Sequence, residues 1–152
     1  MKLSTKGRYG LRAIIDIAEY GEAVPVSISA VSKRQGITVR YLEQLLPKLR
    51  KAGFIQSIRG AQGGYVMAKE TNQISVGDIL RALEGDLFLV DCYEVTGEGE
   101  QCQGARFCVT KTVWKKINDS IKDTVDNMYL SDLVEEAKSV HQSESKERKD
   151  YE

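Results

Sequence analysis

The chain has 152 residues, 41% of them apolar, with 22 acidic and 22 basic side chains. That length suits one domain with a small appended element, and no apolar run approaches the roughly 20 residues that span a bilayer. MKLSTKGRYG has no long apolar segment behind it, so the expectation is a cytoplasmic protein with no secretion signal and no membrane contact. Ser4 or Thr5 can cap a first helix to about Tyr20, with Leu11, Ile14, Ile15 and Ala18 on one stripe. Gly21 stops it, and Pro25 keeps the connection extended. Ser27 can cap a short helix from Ile28 to Gln35, Gly36 makes a turn, and Thr38 caps a helix to about Ala52. Ile28, Val31, Ile37, Leu42, Leu45, Leu46 and Leu49 recur at helical spacing, which gives the helix-turn-helix pattern. Pro47 is expected to kink the second of these helices beyond its first two turns.

Gly53 ends that helix, and FIQSIRG, AQGG and GYVMAKE read as two short strands around a glycine-rich turn, a wing. Ser75 caps VGDILRALEG, with Ile79, Leu80 and Leu83 on one side. A cysteine-bearing loop follows. Next comes a long amphipathic helix, Thr112 to Met128, whose stripe is Val113, Trp114, Ile117, Ile121, Val125 and Met128. SDLVEEAKS forms a short last helix, and VHQSESKERKDYE, almost without apolar residues, reads as disordered. The only histidine, His141, lies in that tail and is expected to be solvated. The expected fold is mainly α with a small β-hairpin wing. It comprises a winged helix-turn-helix domain over 1–85, a loop over 86–110, a dimerisation helix and short helix over 111–139, and a disordered tail over 140–152.

A helix-turn-helix places the N-terminal residues of its second helix against base edges in the major groove. Here those are Thr38, Val39, Arg40, Tyr41, Glu43 and Gln44. Arg40 can bind guanine, Gln44 adenine, and Glu43 can accept from cytosine. Lys6, Lys33, Arg34, Lys48, Arg50 and Lys51 are candidate phosphate contacts, and Arg59 before Gly60 suits insertion into a minor groove. The charge distribution agrees. Residues 1–69 carry 12 Lys/Arg and 4 Asp/Glu, whereas residues 70–152 carry 10 and 18. A basic first half points to double-stranded DNA as its partner. The stripe of the long helix needs cover, which its own domain can give and which the same helix of a second subunit is expected to give better. Such a homodimer matches a pseudo-palindromic operator, with Trp114, Ile117, Ile121, Val125 and Met128 at the interface. No nucleophile–base–acid constellation supports an enzyme, and RGAQGG sits at a hairpin tip with no helix after it.

All three cysteines, Cys92, Cys102 and Cys108, fall in DCYEVTGEGEQCQGARFC at spacing C-x9-C-x5-C. Paired zinc hooks are missing, so the thiols read either as iron–sulfur ligands completed by a fourth group or as free, redox-active thiols on a mobile loop. The neighbouring glutamates are expected to raise the thiol pKa values.

MKLSTKGRYGLRA, QGITVRYLEQL, SIRGAQGGYVMAKE and SVGDILRALEG together resemble the IscR/NsrR/CymR family of bacterial transcription regulators, over roughly residues 1–135. The resemblance implies a dimeric winged regulator with recognition residues at Arg40–Gln44 and Arg59, and a cluster on Cys92, Cys102 and Cys108. CQGARFCVTKTVW is similar to the IscR-like segment, which implies [2Fe–2S] over [4Fe–4S]. Where IscR-like proteins place a histidine ligand this chain has Lys111, and where NsrR-like proteins place a cross-subunit aspartate it has Arg8. Glu94, Glu98, Glu100, Thr110 and a small external thiol are the candidates for the fourth position. The expected function is a homodimeric repressor or dual regulator that senses cluster status, redox stress or nitric oxide. The alternative is a cluster-free regulator of cysteine and sulfur metabolism, acting through thiol redox or a partner enzyme.

Overall fold

Helix α1 (Thr5–Tyr20) begins where the Ser4 hydroxyl accepts a hydrogen bond from Lys6 N, and ends at Gly21. The computed structural model describes residues 2–150. α1 is the hub. Helices α2 (Ile28–Gln35), α3 (Val39–Lys51) and α4 (Val76–Glu84) pack on it, as does the second strand of the hairpin β1 (Ile55–Ile58) and β2 (Gly64–Met67). Ser27 and Thr38 cap α2 and α3, each accepting from a backbone N–H three residues on. Between them Gly36 has φ 65°, a left-handed conformation that other residues adopt only with strain. α3 continues through Pro47 to Lys51 and buries Leu42, Leu45, Leu46 and Leu49.

The hairpin is antiparallel, with Ile55 opposite Met67 and Ile58 opposite Gly64. Val26 exchanges both backbone hydrogen bonds with Tyr65, at 2.9 and 2.8 Å, and so ties the base of the wing to the link between α1 and α2. α4 starts with a reciprocal cap in which Ser75 and Asp78 bond each other's backbone. It lies so close to α1 that a Cβ on Gly10 would stand 2.4 Å from Leu83 Cδ1. The core joins Ile14, Ile17, Val31, Leu42, Leu45, Leu46, Leu49, Ile55, Ile74, Ile79 and Leu83, all under 3% exposed.

Beyond α4 the chain changes character. A single helical turn, α5 (Tyr93–Thr96), interrupts the expected loop. α6 (Thr110–Asp126) is the long helix, packed mainly against α4 and α5. It ends two residues before Met128, which therefore lies outside the helix and gives its carbonyl to Val76 N at 2.7 Å.

The last helix differs most from expectation. α7 starts at Leu130 and continues to Asp150, so residues 140–150 are helical where the sequence read as disordered. Two causes act together. The segment carries two Glu, two Lys, an Arg and a Gln, all good helix formers, and its preceding turns are anchored. Leu130 and Val134 enter the main core at 0% and 6% exposure. Lys138 Nζ lies 2.8 Å from Glu22 Oε1, and His141 Nδ1 lies 2.8 Å from Glu19 Oε1. His141 is thus docked on the end of α1, beside Tyr20, rather than free in solvent. Tyr151 and Glu152 lie outside the described residues. None of the described helices is long and apolar enough to cross a membrane.

Candidate nucleic-acid interface and thiol loop

Arg40, Glu43 and Gln44 project from the first turns of α3 as exposed side chains, and Val39 beside them is 36% exposed. They are presented because the opposite face of α3 is pinned by four buried leucines. Two neighbours are otherwise engaged. The Thr38 hydroxyl accepts from Tyr41 N at 3.2 Å. Tyr41 is half-buried, its hydroxyl 2.8 Å from Thr5 Oγ1 and its ring edge-on to Tyr9 at 5.8 Å. That aromatic pair fixes the recognition helix against α1, a role the pattern of residues did not reveal. Arg59 and Gly60 sit at the wing tip, both exposed, with φ 113° at Gly60.

The basic residues divide into two sets. Lys6, Lys33, Arg50 and Lys51 are exposed. Lys48 donates to the Leu83 carbonyl at 3.3 Å and neutralises the C-terminal end of α4. Arg34 is engaged within the fold. Its Nε and Nη2 donate to both oxygens of Asp16 at 2.9 and 2.8 Å, Asp16 is fully buried, and the guanidinium stacks 4.0 Å from the Tyr20 ring centre. Breaking such a pair strands a buried carboxylate, so the arginine belongs to the framework joining α1 and α2. Arg12 does similar work by donating to the Gln35 carbonyl and side chain.

The three cysteines are unpaired thiols spread over the segment between α4 and α6. Cys92 is half-buried at the N-cap of α5, and Cys102 is exposed where a tight turn begins, its carbonyl accepting from Ala105 N at 2.9 Å. Cys108 is half-buried and directly precedes the N-cap of α6. Its Sγ lies 3.2 Å from Thr110 Oγ1. That hydroxyl, and then the backbone N–H of Lys111, hold the Cys108 thiol below its ordinary pKa, the opposite direction from that expected from the local glutamates. Lys111 Nζ donates to the Ala105 carbonyl at 2.7 Å and closes the turn between Cys102 and Cys108. Among the described residues no three of His, Cys, Asp or Glu are grouped so as to hold a metal ion.

The stripe of α6 is incompletely covered. Val113 is 48% exposed and Ile117 38%, while Trp114, Ile121 and Val125 are half-buried.

Comparison with known proteins agrees with this architecture. The profile of the Rrf2 family, described as "Iron-dependent Transcriptional regulator", matches residues 3–136. The HTH-type transcriptional regulator IscR of Pectobacterium atrosepticum is 41% identical over 134 residues, covering 88% of this chain and 79% of that protein. The solved CymR of B. subtilis, a global cysteine regulator, superposes with TM-score 0.74 at 38% identity over 89% of this chain and 97% of its own. IscR of T. potens superposes with TM-score 0.72 at 43% identity, covering 90% and 88%. On the evidence of its winged helix-turn-helix and of these matches along nearly its whole length, the chain belongs to the Rrf2 family of transcriptional regulators.

Proposed function

We propose that this protein is a homodimeric, operator-binding regulator whose affinity for DNA is set by an iron–sulfur cluster held on Cys92, Cys102 and Cys108. What carries the reading is the placement of every thiol of the chain, all unpaired, in one segment between the winged fold and α6. The donor chemistry fits. Thiolate sulfur is the ligand iron–sulfur clusters take, and Cys108 is already biased toward that form. The family description and the IscR relatives point the same way. Bound there, a cluster supplies a centre that oxidants and nitric oxide attack. A [2Fe–2S] form is favoured on the IscR likeness, and Thr110, next to Cys108 Sγ, is one candidate for the remaining position.

The chain's own part is mechanical. Arg40, Glu43 and Gln44 read bases, Lys6 and the exposed basic residues hold phosphates, and Arg59 enters the minor groove. The apolar stripe of α6 is covered by the same helix of a second copy, which sets the distance between two recognition helices and suits a pseudo-palindromic site. Ordering the 86–110 segment changes how α6 is held, so the two states of the segment favour different helix spacings. Affinity shifts only by as much as those arrangements differ in free energy.

A second reading has its own support, the likeness to CymR in fold and sequence. There the thiols act by redox, or through a partner enzyme, in the control of sulfur metabolism. Anaerobic purification separates the two. A cluster gives a brown protein whose visible absorbance is lost in Cys102→Ser, and cluster loading changes the affinity for promoter DNA. A protein that stays colourless after anaerobic reconstitution with iron and sulfide, and whose DNA affinity follows thiol oxidation, establishes the second reading instead.

A further inference from the structure

The one buried residue of α6 is polar. Asn118 is 8% exposed, and its side-chain Oδ1 accepts no hydrogen bond among the described residues. A buried acceptor without a donor is a standing penalty, and interiors seldom keep one for packing alone. Beside it opens a cavity of about 280 Å³ between α4, the link that follows it, and α6. Three kinds of wall meet there. Leu87, Phe88 and Ile121 supply apolar surface. Lys122 and Arg81 supply positive charge, but Arg81 is already paired with Asp126 and Asp78, which leaves Lys122 as the available cation. Asp86 supplies a carboxylate, and neither it nor Lys122 has an ion-pair partner among the described residues.

We propose that this cavity binds a small free α-amino acid with an apolar side chain. The ammonium group supplies the donor that Asn118 Oδ1 lacks and faces Asp86. The carboxylate faces Lys122, and the side chain lies against Leu87, Phe88 and Ile121. Other small molecules match less of the site. An inorganic anion offers Asp86 no cation and the apolar wall no partner, a simple carboxylate leaves Asp86 unmatched, and an apolar molecule leaves all the polar groups orphaned. Water satisfies the amide oxygen but makes no use of the paired charges or the apolar wall. None of the thiols and none of the base- or phosphate-contact candidates lines it, although Asp86, Leu87 and Phe88 belong to the same 86–110 segment. Its occupant touches α4 and α6 at once and so acts on the angle between the winged fold and the long helix.

The test uses full-length protein purified anaerobically, with L-leucine, L-methionine and L-phenylalanine as probes in calorimetry and thermal melting. At least one is expected to bind and raise the melting temperature. 4-Methylpentanoate, which is leucine without the ammonium, and isopentylamine, which is leucine without the carboxylate, are expected to bind at least about tenfold more weakly than leucine, the factor for losing one charged contact. Lys122→Ala, at an exposed position, is expected to weaken the amino acid by a similar factor, and Asn118→Leu to abolish binding. Asn118→Asp retains an acceptor and is expected to retain binding, which guards against a folding defect in the leucine variant. The proposal is overturned if none of the three amino acids binds, as for a cavity filled by water alone. Equal binding of 4-methylpentanoate, or undiminished binding by Lys122→Ala, overturns it as well.

Discussion

α1 and α6 are amphipathic helices of nearly equal length, 16 and 17 residues, and they end up in opposite situations. α1 buries Gly7, Gly10, Ala13, Ile14, Asp16, Ile17 and Ala18 beneath four other helices and the wing. α6 buries Asn118 alone and leaves Val113 and Ile117 substantially exposed. An apolar stripe announces that a helix will be covered, but it does not say by what. In α1 the cover is the rest of the chain, and the result is a rigid frame that aims α3. In α6 the chain supplies only part of the cover, which is the basis of the dimer interface proposed above.

The sharpest way to break this contrast is to truncate one side chain in each region. Leu46→Ala, at 0% exposure, is expected to lose about 2–5 kcal/mol in urea denaturation. Ile117→Asp on α6 is expected to leave far-UV circular dichroism intact while the protein sediments as a monomer. A dimer that survives it removes the α6 stripe from the proposed interface. Next comes Gly10→Ala, whose added methyl meets Leu83 Cδ1 at 2.4 Å and forces α1 and α4 apart. An overpacked contact of this kind is expected to cost about 1–3 kcal/mol, read as a lowered melting temperature.

A smaller effect tests how α1 is started. Glu84 Oε1 accepts from Ser4 N at 2.9 Å, Ser4 Oγ at 2.6 Å and Gly7 N at 2.9 Å, so α4 caps α1 from outside. The Ser4 hydroxyl above all, with the backbone donors, holds the Glu84 carboxyl below the usual glutamate pKa. A depressed folded-state value means that the ionised group stabilises the fold. That contribution is complete above the unfolded glutamate pKa and disappears as pH falls through the folded one. Glu84→Ala is therefore expected to cost about 1 kcal/mol at neutral pH, and the melting difference from the parent to shrink on acidification. The smallest effect is expected at Lys138→Ala. Its ion pair with Glu22 is largely exposed, so the only expected change is slightly faster hydrogen exchange along α7, with none elsewhere.

Local chemistry made most of the fold legible. Ser4, Ser27, Thr38 and Ser75 each cap the helix they were expected to cap, and Gly36 turns the chain between α2 and α3. Caps and helical periods act within a few residues, so they can be read in order along the chain. Arg34 is the counter-case. In a row of letters it is one more surface cation, and only folding brings it against Asp16, 18 residues away. Tyr41, Lys48 and His141 are similar, each claimed by a partner distant in sequence: Thr5, Leu83 and Glu19.

The amino-acid order alone determined the winged helix-turn-helix, the basic face that presents Arg40, Gln44 and Arg59, and the gathering of every thiol into one segment. These follow from periodicity, capping and composition, which neighbouring residues decide among themselves. Tertiary packing decided the rest. It set which cations are engaged within the fold, carried α7 past residue 139 by docking Leu130, Lys138 and His141, and left Asn118 beside a cavity without a donor. Each of these depends on two groups that meet only after the chain has closed on itself, and a free energy between such groups has no trace in either one's immediate sequence.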